Sequence, residues 1–207
     1  MVHEKAVKRI IRYLKRTKDK GMDMTVDASK GIECYADADF AGAYDKHATT
    51  THPKDLLSRS GYIVKVANCP IIWASKLGST LALSTTEAEI HSSSAALREV
   101  IFMMKLMDEM KSFGIDLVKN QPVIRCRVFE DNVGAVEVAN TPKLRPRTKH
   151  IALQYMHFRE WTVKGINGEP PRIKVEYIST HLQQADIMTK PIAREQFQLL
   201  RKLVCGW

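Results

Sequence analysis

Cysteine is scarce and scattered. The 207-residue chain holds four, Cys34, Cys69, Cys126 and Cys205, and no two form a C-x-x-C pair. That spacing speaks against a zinc site or a disulfide framework and leaves ordinary reduced cysteines, which behave as small buried hydrophobes. No stretch approaches the roughly 20 apolar residues of a membrane span. The opening Met-Val-His-Glu-Lys lacks the apolar core of a signal peptide. An intracellular chain with no membrane partner is expected. No internal repeat is visible.

What the chain does have is positive charge. It carries 32 Lys and Arg against 23 Asp and Glu, a net +9, with a pI of about 9.4. Such a balance favours a polyanionic partner through phosphate neutralisation and counterion release. The hydrophobic share of 44% and charged share of 27% are those of a globular protein. The length suits one domain plus an appendage.

The appendage is at the front. Ala6, Val7, Ile10, Ile11 and Leu14 recur at helical spacing, with Lys5, Lys8, Arg9, Arg12, Lys15 and Arg16 on the other faces. Residues 1–20 therefore read as a basic amphipathic helix stopped near Gly21, with a connector over 21–31. Residues 31–37 (GIECYAD) read as a strand. Residues 60–66 and 69–75 read as a hairpin turning at Asn68. A long helix is expected from Ser84 to Gly114, because Ser84-Thr-Thr-Glu87 fits a capping box and two apolar stripes follow. Residues 123–131 read as a fourth strand, 132–140 as a short helix, 149–164 as another, and 172–179 as a fifth strand. The end is helical, interrupted by Pro191. Trp73 and Trp161 are expected as packing residues. Three strands, helix, strand, helices, strand, helix make an α/β chain with a mixed sheet.

Four acidic residues fall where such sheets gather side chains. Asp37 ends the first strand, Glu89 lies in the first turns of the long helix, Asp131 ends the fourth strand, and Asp186 precedes the last helical segment. Strand ends of α/β sheets meet in one crevice. Carboxylates crowded there need cations, and hard oxygen ligands suit Mg²⁺ or Mn²⁺. Asp39 competes with Asp37 for the first position. Glu87 competes with Glu89, but Glu87 already has an occupation as capping partner of Ser84. Thr86 and Glu89 share the capping-box spacing, so the alternative stays open.

These residues sit in familiar strings. Tyr35-Ala-Asp37-Ala-Asp39-Phe-Ala-Gly42, Ser84-Thr-Thr-Glu-Ala-Glu-Ile-His91, Glu130-Asp131-Asn132, Thr148-Lys-His150 and Gln184-Ala-Asp186-Ile-Met-Thr-Lys-Pro191 follow one another in this order. They resemble the ribonuclease H region of copia-type retrotransposon reverse transcriptase polyproteins over residues 31–207. Residues 1–30 are similar to the tether joining polymerase to ribonuclease H. The resemblance implies a ribonuclease H-like α/β fold, a five-stranded mixed sheet flanked by helices. It implies two divalent ions, Mg²⁺ with Mn²⁺ as substitute, held by Asp37, Glu89, Asp131 and Asp186 roughly 4 Å apart. It implies hydrolysis of the RNA strand of an RNA–DNA hybrid, leaving 5′-phosphate and 3′-hydroxyl ends. His181, five residues before Asp186, matches a flexible histidine that aids proton transfer or product release, although the spacing is shorter than in cellular enzymes. The polymerase part of the same polyprotein is an implied partner. No polymerase Asp-Asp signature is present here, so this chain cannot make DNA alone.

For the hybrid itself, Lys143, Arg145, Arg147, Lys149 and His150 form a basic cluster suited to phosphate contact without sequence preference. Ser84, Thr85 and Thr86 stand where a 2′-hydroxyl would be read. Two other readings remain: a different nuclease on the same fold, and a catalytically silent nucleic-acid-binding or scaffold remnant.

Overall fold

Alternation in the first strand is loose because both of its faces are covered. The computed structural model describes residues 2–45, 47, 52–115, 123–141, 156–164 and 169–207. In it β1, Ile32–Asp39, is buried along all but its last residue. It pairs antiparallel with β2, Arg59–Val66, and parallel with β4, Cys126–Glu130. A strand flanked and covered in this way reads as a near-continuous buried run. With β3 (Cys69–Leu77) and β5 (Ile173–Tyr177) the order is β3-β2-β1-β4-β5. This is the expected five-stranded mixed sheet.

The β2–β3 hairpin turns on Ala67 and Asn68, whose φ angles are +49° and +73°. A two-residue hairpin loop of this hand needs positive φ at both positions, and Asn accepts it at low cost. β3 is an edge strand. Ile72 and Ala74 pack on the core, while Trp73 is 53% exposed. Trp73 is thus not the packing residue expected, because alternation turns it to the uncovered face of an edge. Trp161 is buried.

Helix α2, Thr85–Ser112, covers one face of the sheet. Its Ala96, Leu97, Val100, Met104 and Met107 meet Cys34, Ala36, Tyr62, Val64 and Val128 in the main core. Only half of the capping box forms. Ser84 Oγ accepts from the Glu87 amide at 3.1 Å, but the Glu87 carboxylate accepts from the Leu83 amide instead of that of Ser84. Beyond β4, Asn132 caps α3, Val133–Asn140, by accepting from the Ala135 amide. Gly134 allows α3 to approach α2, since a Cβ there would lie 2.9 Å from Thr86 Oγ1. The other face of the sheet holds Tyr35 stacked on Phe129, with Ala185 against them. Helix α4 (Asp186–Thr189) packs on β2, and α5 (Arg194–Cys205) is tied to the same strand where Lys65 Nζ donates to the Leu203 carbonyl.

Helix α1 spans Val2–Arg16, four residues short of the expected end. Its Val7, Ile10, Ile11 and Leu14 are each more than half exposed. The connector that follows is held to the end of α5: the Asp23 amide donates to the Cys205 carbonyl, and Trp207 Nε1 donates to the Gly21 carbonyl. The first part of the helix expected over 149–164 lies outside the described residues. Over 156–164 the chain makes a turn and then a π-helical turn, Glu160–Lys164, where Thr162 Oγ1 donates to the Ala139 carbonyl at 2.8 Å.

Candidate metal centre

Three of the four acidic residues converge. Asp37, Glu89 and Asp131 each offer an oxygen within 4.8 Å of the others. β1 delivers Asp37, the second turn of α2 delivers Glu89, and the residue just past β4 delivers Asp131. Asp37 is fully buried, and Glu89 nearly so. Glu89 Oε2 is buried and accepts no hydrogen bond among the described residues. A buried carboxylate oxygen of that kind, beside two further carboxylates, is the chemistry of a hard-cation site. The residues fit a divalent ion.

The neighbours fix the geometry. Ser92 Oγ, fully buried on α2, donates to the Asp37 carbonyl at 2.7 Å and is 3.2 Å from the Gly61 carbonyl. Thr189 Oγ1 donates to Asp37 Oδ2. Its approach depends on Gly61, where a Cβ would come within 2.6 Å of Thr189 Cγ2. Asp186, at the start of α4, reaches the group through a cation of the chain's own: Lys190 Nζ lies 3.1 Å from Asp37 Oδ1 and 3.0 Å from Asp186 Oδ1. A fifth carboxylate, Glu130, is buried beside the others, accepting from Ser93 Oγ and from the Asn132 amide, both at 3.1 Å.

Of the competing acids, Glu87 is engaged by the Leu83 amide and stands 3.7 Å from His91. Asp39 folds its carboxylate onto Gly42, where a Cβ would collide with it. His181 lies in the exposed turn Thr180–Leu182, its Nδ1 3.4 Å from Gln196 Oε1, and is not brought into the carboxylate group. Thr85 is exposed at the start of α2, and Thr86 Oγ1 is 3.4 Å from Asn132 Oδ1. Lys143, Arg145, Arg147, Lys149 and His150 lie outside the described residues. Glu130, Thr189 and Lys190 were not singled out by sequence reasoning, although all three stand inside the quoted strings.

Crowding shows in the proton affinities. Burial first, then the charges of Glu130, Asp37 and Asp131, push the Glu89 carboxyl up to about 11. Burial pushes Glu130 up to about 8. Burial and the charge of Asp37 push Asp186 up to about 6 against the pull of Lys190. Burial works against the Lys190 charge, but Asp37 and Asp186 outweigh it and hold the ammonium above its ordinary range.

A carboxyl raised on folding keeps its proton where the unfolded chain has released it. Its stabilising contribution is complete below the unfolded value and is lost as pH rises through the folded one. Burial lowers the pKa of His91 below its ordinary 6.5, an opposite contribution that is finished above that value. With a chelator present, the melting temperature should therefore fall between about pH 6.5 and pH 8, carried by Glu130 and Glu89. Excess Mg²⁺ should flatten the slope. A melting temperature constant across that window in chelator would contradict this charge balance.

No family model matches the chain. It is 37% identical over 196 residues to the retrovirus-related Pol polyprotein from transposon RE2 of Arabidopsis thaliana, covering 95% of this chain and 12% of that protein. It is 32% identical over 203 residues to the retrovirus-related Pol polyprotein from transposon TNT 1-94 of Nicotiana tabacum, covering 98% and 13%. The chain thus spans about one-eighth of the length of these curated relatives. A solved structure, LC11 ribonuclease H1 isolated from compost, superposes with a TM-score of 0.49 at 12% identity, covering 77% of this chain and 92% of that one. On nearly its whole length, therefore, the chain is homologous to one segment of the Pol polyproteins of copia-type transposons.

Proposed function

We propose that this segment is a ribonuclease H, a metal-dependent endonuclease that hydrolyses the RNA strand of an RNA–DNA hybrid during reverse transcription. The observation that carries the reading is the convergence of Asp37, Glu89 and Asp131 within 4.8 Å, with one buried Glu89 oxygen that has no donor among the described residues. Asp37, Glu89 and Asp131 would hold one Mg²⁺ or Mn²⁺, and Asp186 would complete the set for a second. Bound divalent ions supply an activated water and stabilise the leaving 3′-oxygen.

The chain's own residues orient and admit. The Thr189 hydroxyl on Asp37 Oδ2 fixes how that carboxylate faces the cluster. Ser84, Thr85 and Thr86 stand at the start of α2, three to five residues before Glu89, where hydroxyls can meet the 2′-hydroxyls that distinguish RNA. His181, exposed on its turn beside Gln196, would assist proton transfer or product release. Arg145, Arg147, Lys149 and His150, with the basic faces of α1, supply phosphate contacts, which are sequence-independent and salt-sensitive. Residues 1–30 would act as the tether to the polymerase part, and 31–207 as the nuclease domain.

The test uses the full chain with end-labelled RNA–DNA hybrid, duplex RNA and duplex DNA, each with Mg²⁺ or with chelator. Cleavage of the RNA strand of the hybrid alone, and only with the ion, is expected. Cutting of duplex DNA would favour another nuclease on this fold. Hybrid binding without any cleavage would favour a silent remnant.

A further inference from the structure

β1 and β4 run parallel and paired only from Ile32↔Cys126 to Tyr35↔Phe129. Beyond that point β1 continues against β2 as far as Asp39, and β4 continues against β5 as far as Glu130. The two strands fork immediately before their carboxylates. A fork in a buried sheet leaves backbone carbonyls facing each other without ladder partners, and a buried unpaired carbonyl is costly.

Gln183 fills the fork. Its side chain is fully buried. Nε2 donates to the Ala36 carbonyl at 2.9 Å and to the Phe129 carbonyl at 3.2 Å, while Oε1 accepts from the Ala185 amide at 3.3 Å. The three chain segments joined by this one amide carry Asp37 one residue past Ala36, Asp131 two past Phe129, and Asp186 one past Ala185. The chemistry asks for an amide. Two N–H donors face two carbonyls, and one oxygen accepts from the turn. An ionised carboxylate would set oxygen against oxygen, and an apolar side chain would leave both carbonyls unpaired.

We propose that Gln183 is a positioning residue of the metal centre: its amide sets the opening of the β1–β4 fork and with it the spacing of Asp37, Asp131 and Asp186. This rests on the metal-dependent reading above. Gln183 acts through the backbone that carries the ligands. Its effect belongs in ion affinity, as with other residues that orient ligands from behind.

The experiment is Mn²⁺ titration by calorimetry on the full chain, with melting temperature measured alongside. The variants are Gln183→Met, Gln183→Asn and, as a control for stability alone, Thr162→Val, which removes another buried hydrogen bond, to the Ala139 carbonyl of α3. Gln183→Met should weaken Mn²⁺ binding about tenfold or more. Gln183→Asn keeps the amide on a stem one methylene shorter and should fall between it and the parent. Thr162→Val should lower the melting temperature and leave Mn²⁺ affinity unchanged. If Gln183→Met does not fold, Gln183→Asn alone decides: an affinity equal to the parent's overturns the proposal. An equal loss of affinity in Thr162→Val would overturn it too, by reducing the effect to stability. A parent chain that binds no Mn²⁺ removes the metal reading itself and this inference with it, whereas a parent that binds and a Gln183→Met that binds equally well removes only this inference.

Discussion

Replacing Asp131 by Asn should abolish cleavage of the hybrid while leaving the chain folded. Asp131 stands just past β4 and offers one of the three oxygens that lie within 4.8 Å of one another. Its backbone conformation is set by the Asn132 cap behind it, which needs nothing from the Asp131 carboxylate. Asn keeps the shape and removes the charge, so the loss falls on the cation alone. A loss on the order of a thousandfold, about 4 kcal/mol of transition-state stabilisation, is the scale expected when electrostatic machinery is removed from a reaction of this kind. Glu89→Gln and Asp37→Asn should behave alike.

Stability should move the other way. Each neutral amide relieves repulsion among crowded carboxylates, so Glu89→Gln and Asp131→Asn should melt no lower than the parent in chelator, whereas Asp37→Asn also gives up its pairing with Lys190. They should lose most of the rise that Mg²⁺ gives the parent. An ion at a hundred times its dissociation constant adds about 2.7 kcal/mol, or roughly 5–10 °C for a domain of this size. Parent-rate cleavage by Asp131→Asn, or equal Mg²⁺-induced shifts in parent and Asp37→Asn, would remove these carboxylates from the reaction.

What sequence could reach and what it could not divides along physical lines. Asp131 stood out by the Asn132 cap that follows it, whereas Asp37 was expected at the end of a strand that in fact runs on to Asp39. Between Glu87 and Glu89 the sequence left the choice open; the Glu87 carboxylate is taken by the Leu83 amide, and Glu89 is the one that stands with Asp37 and Asp131. The sheet followed from turn residues and run lengths, down to the Ala67–Asn68 hairpin. Glu130 was missed because its burial depends on Ser93 from a helix 37 residues away in sequence. Gln183 was missed because a strand fork has no local signature; the need for an amide exists only after β1 and β4 have paired and parted. Trp73 was misjudged because an aromatic in a strand looks alike whether its face is covered or lies on an edge.

Lys190, likewise not singled out from the sequence, carries the second large effect. Lys190→Met should destabilise the metal-free chain and make it depend on divalent ions. The ammonium stands 3.1 Å from Asp37 Oδ1 and 3.0 Å from Asp186 Oδ1, and both carboxylates are buried. Removing one partner of a buried pair costs about 3–5 kcal/mol, because the remaining charge is left uncompensated. Two considerations reduce that figure here. Lys190 is itself 31% exposed, so water screens part of the interaction. Protonation also offers a way out, since the Asp186 carboxyl is already pushed up to about 6. About 2 kcal/mol remains at neutral pH, a fall of roughly 4–8 °C in melting temperature. The loss should shrink as pH drops and the Asp186 carboxyl takes up its proton. It should also shrink on adding Mg²⁺, which brings its own positive charge to Asp37. The melting temperature should therefore rise more with Mg²⁺ in Lys190→Met than in the parent, the opposite of the Asp37→Asn result. Melting curves of both proteins with chelator and with millimolar Mg²⁺ decide the matter. If Lys190→Met melts with the parent in chelator, the ammonium contributes nothing to holding Asp37 and Asp186 together.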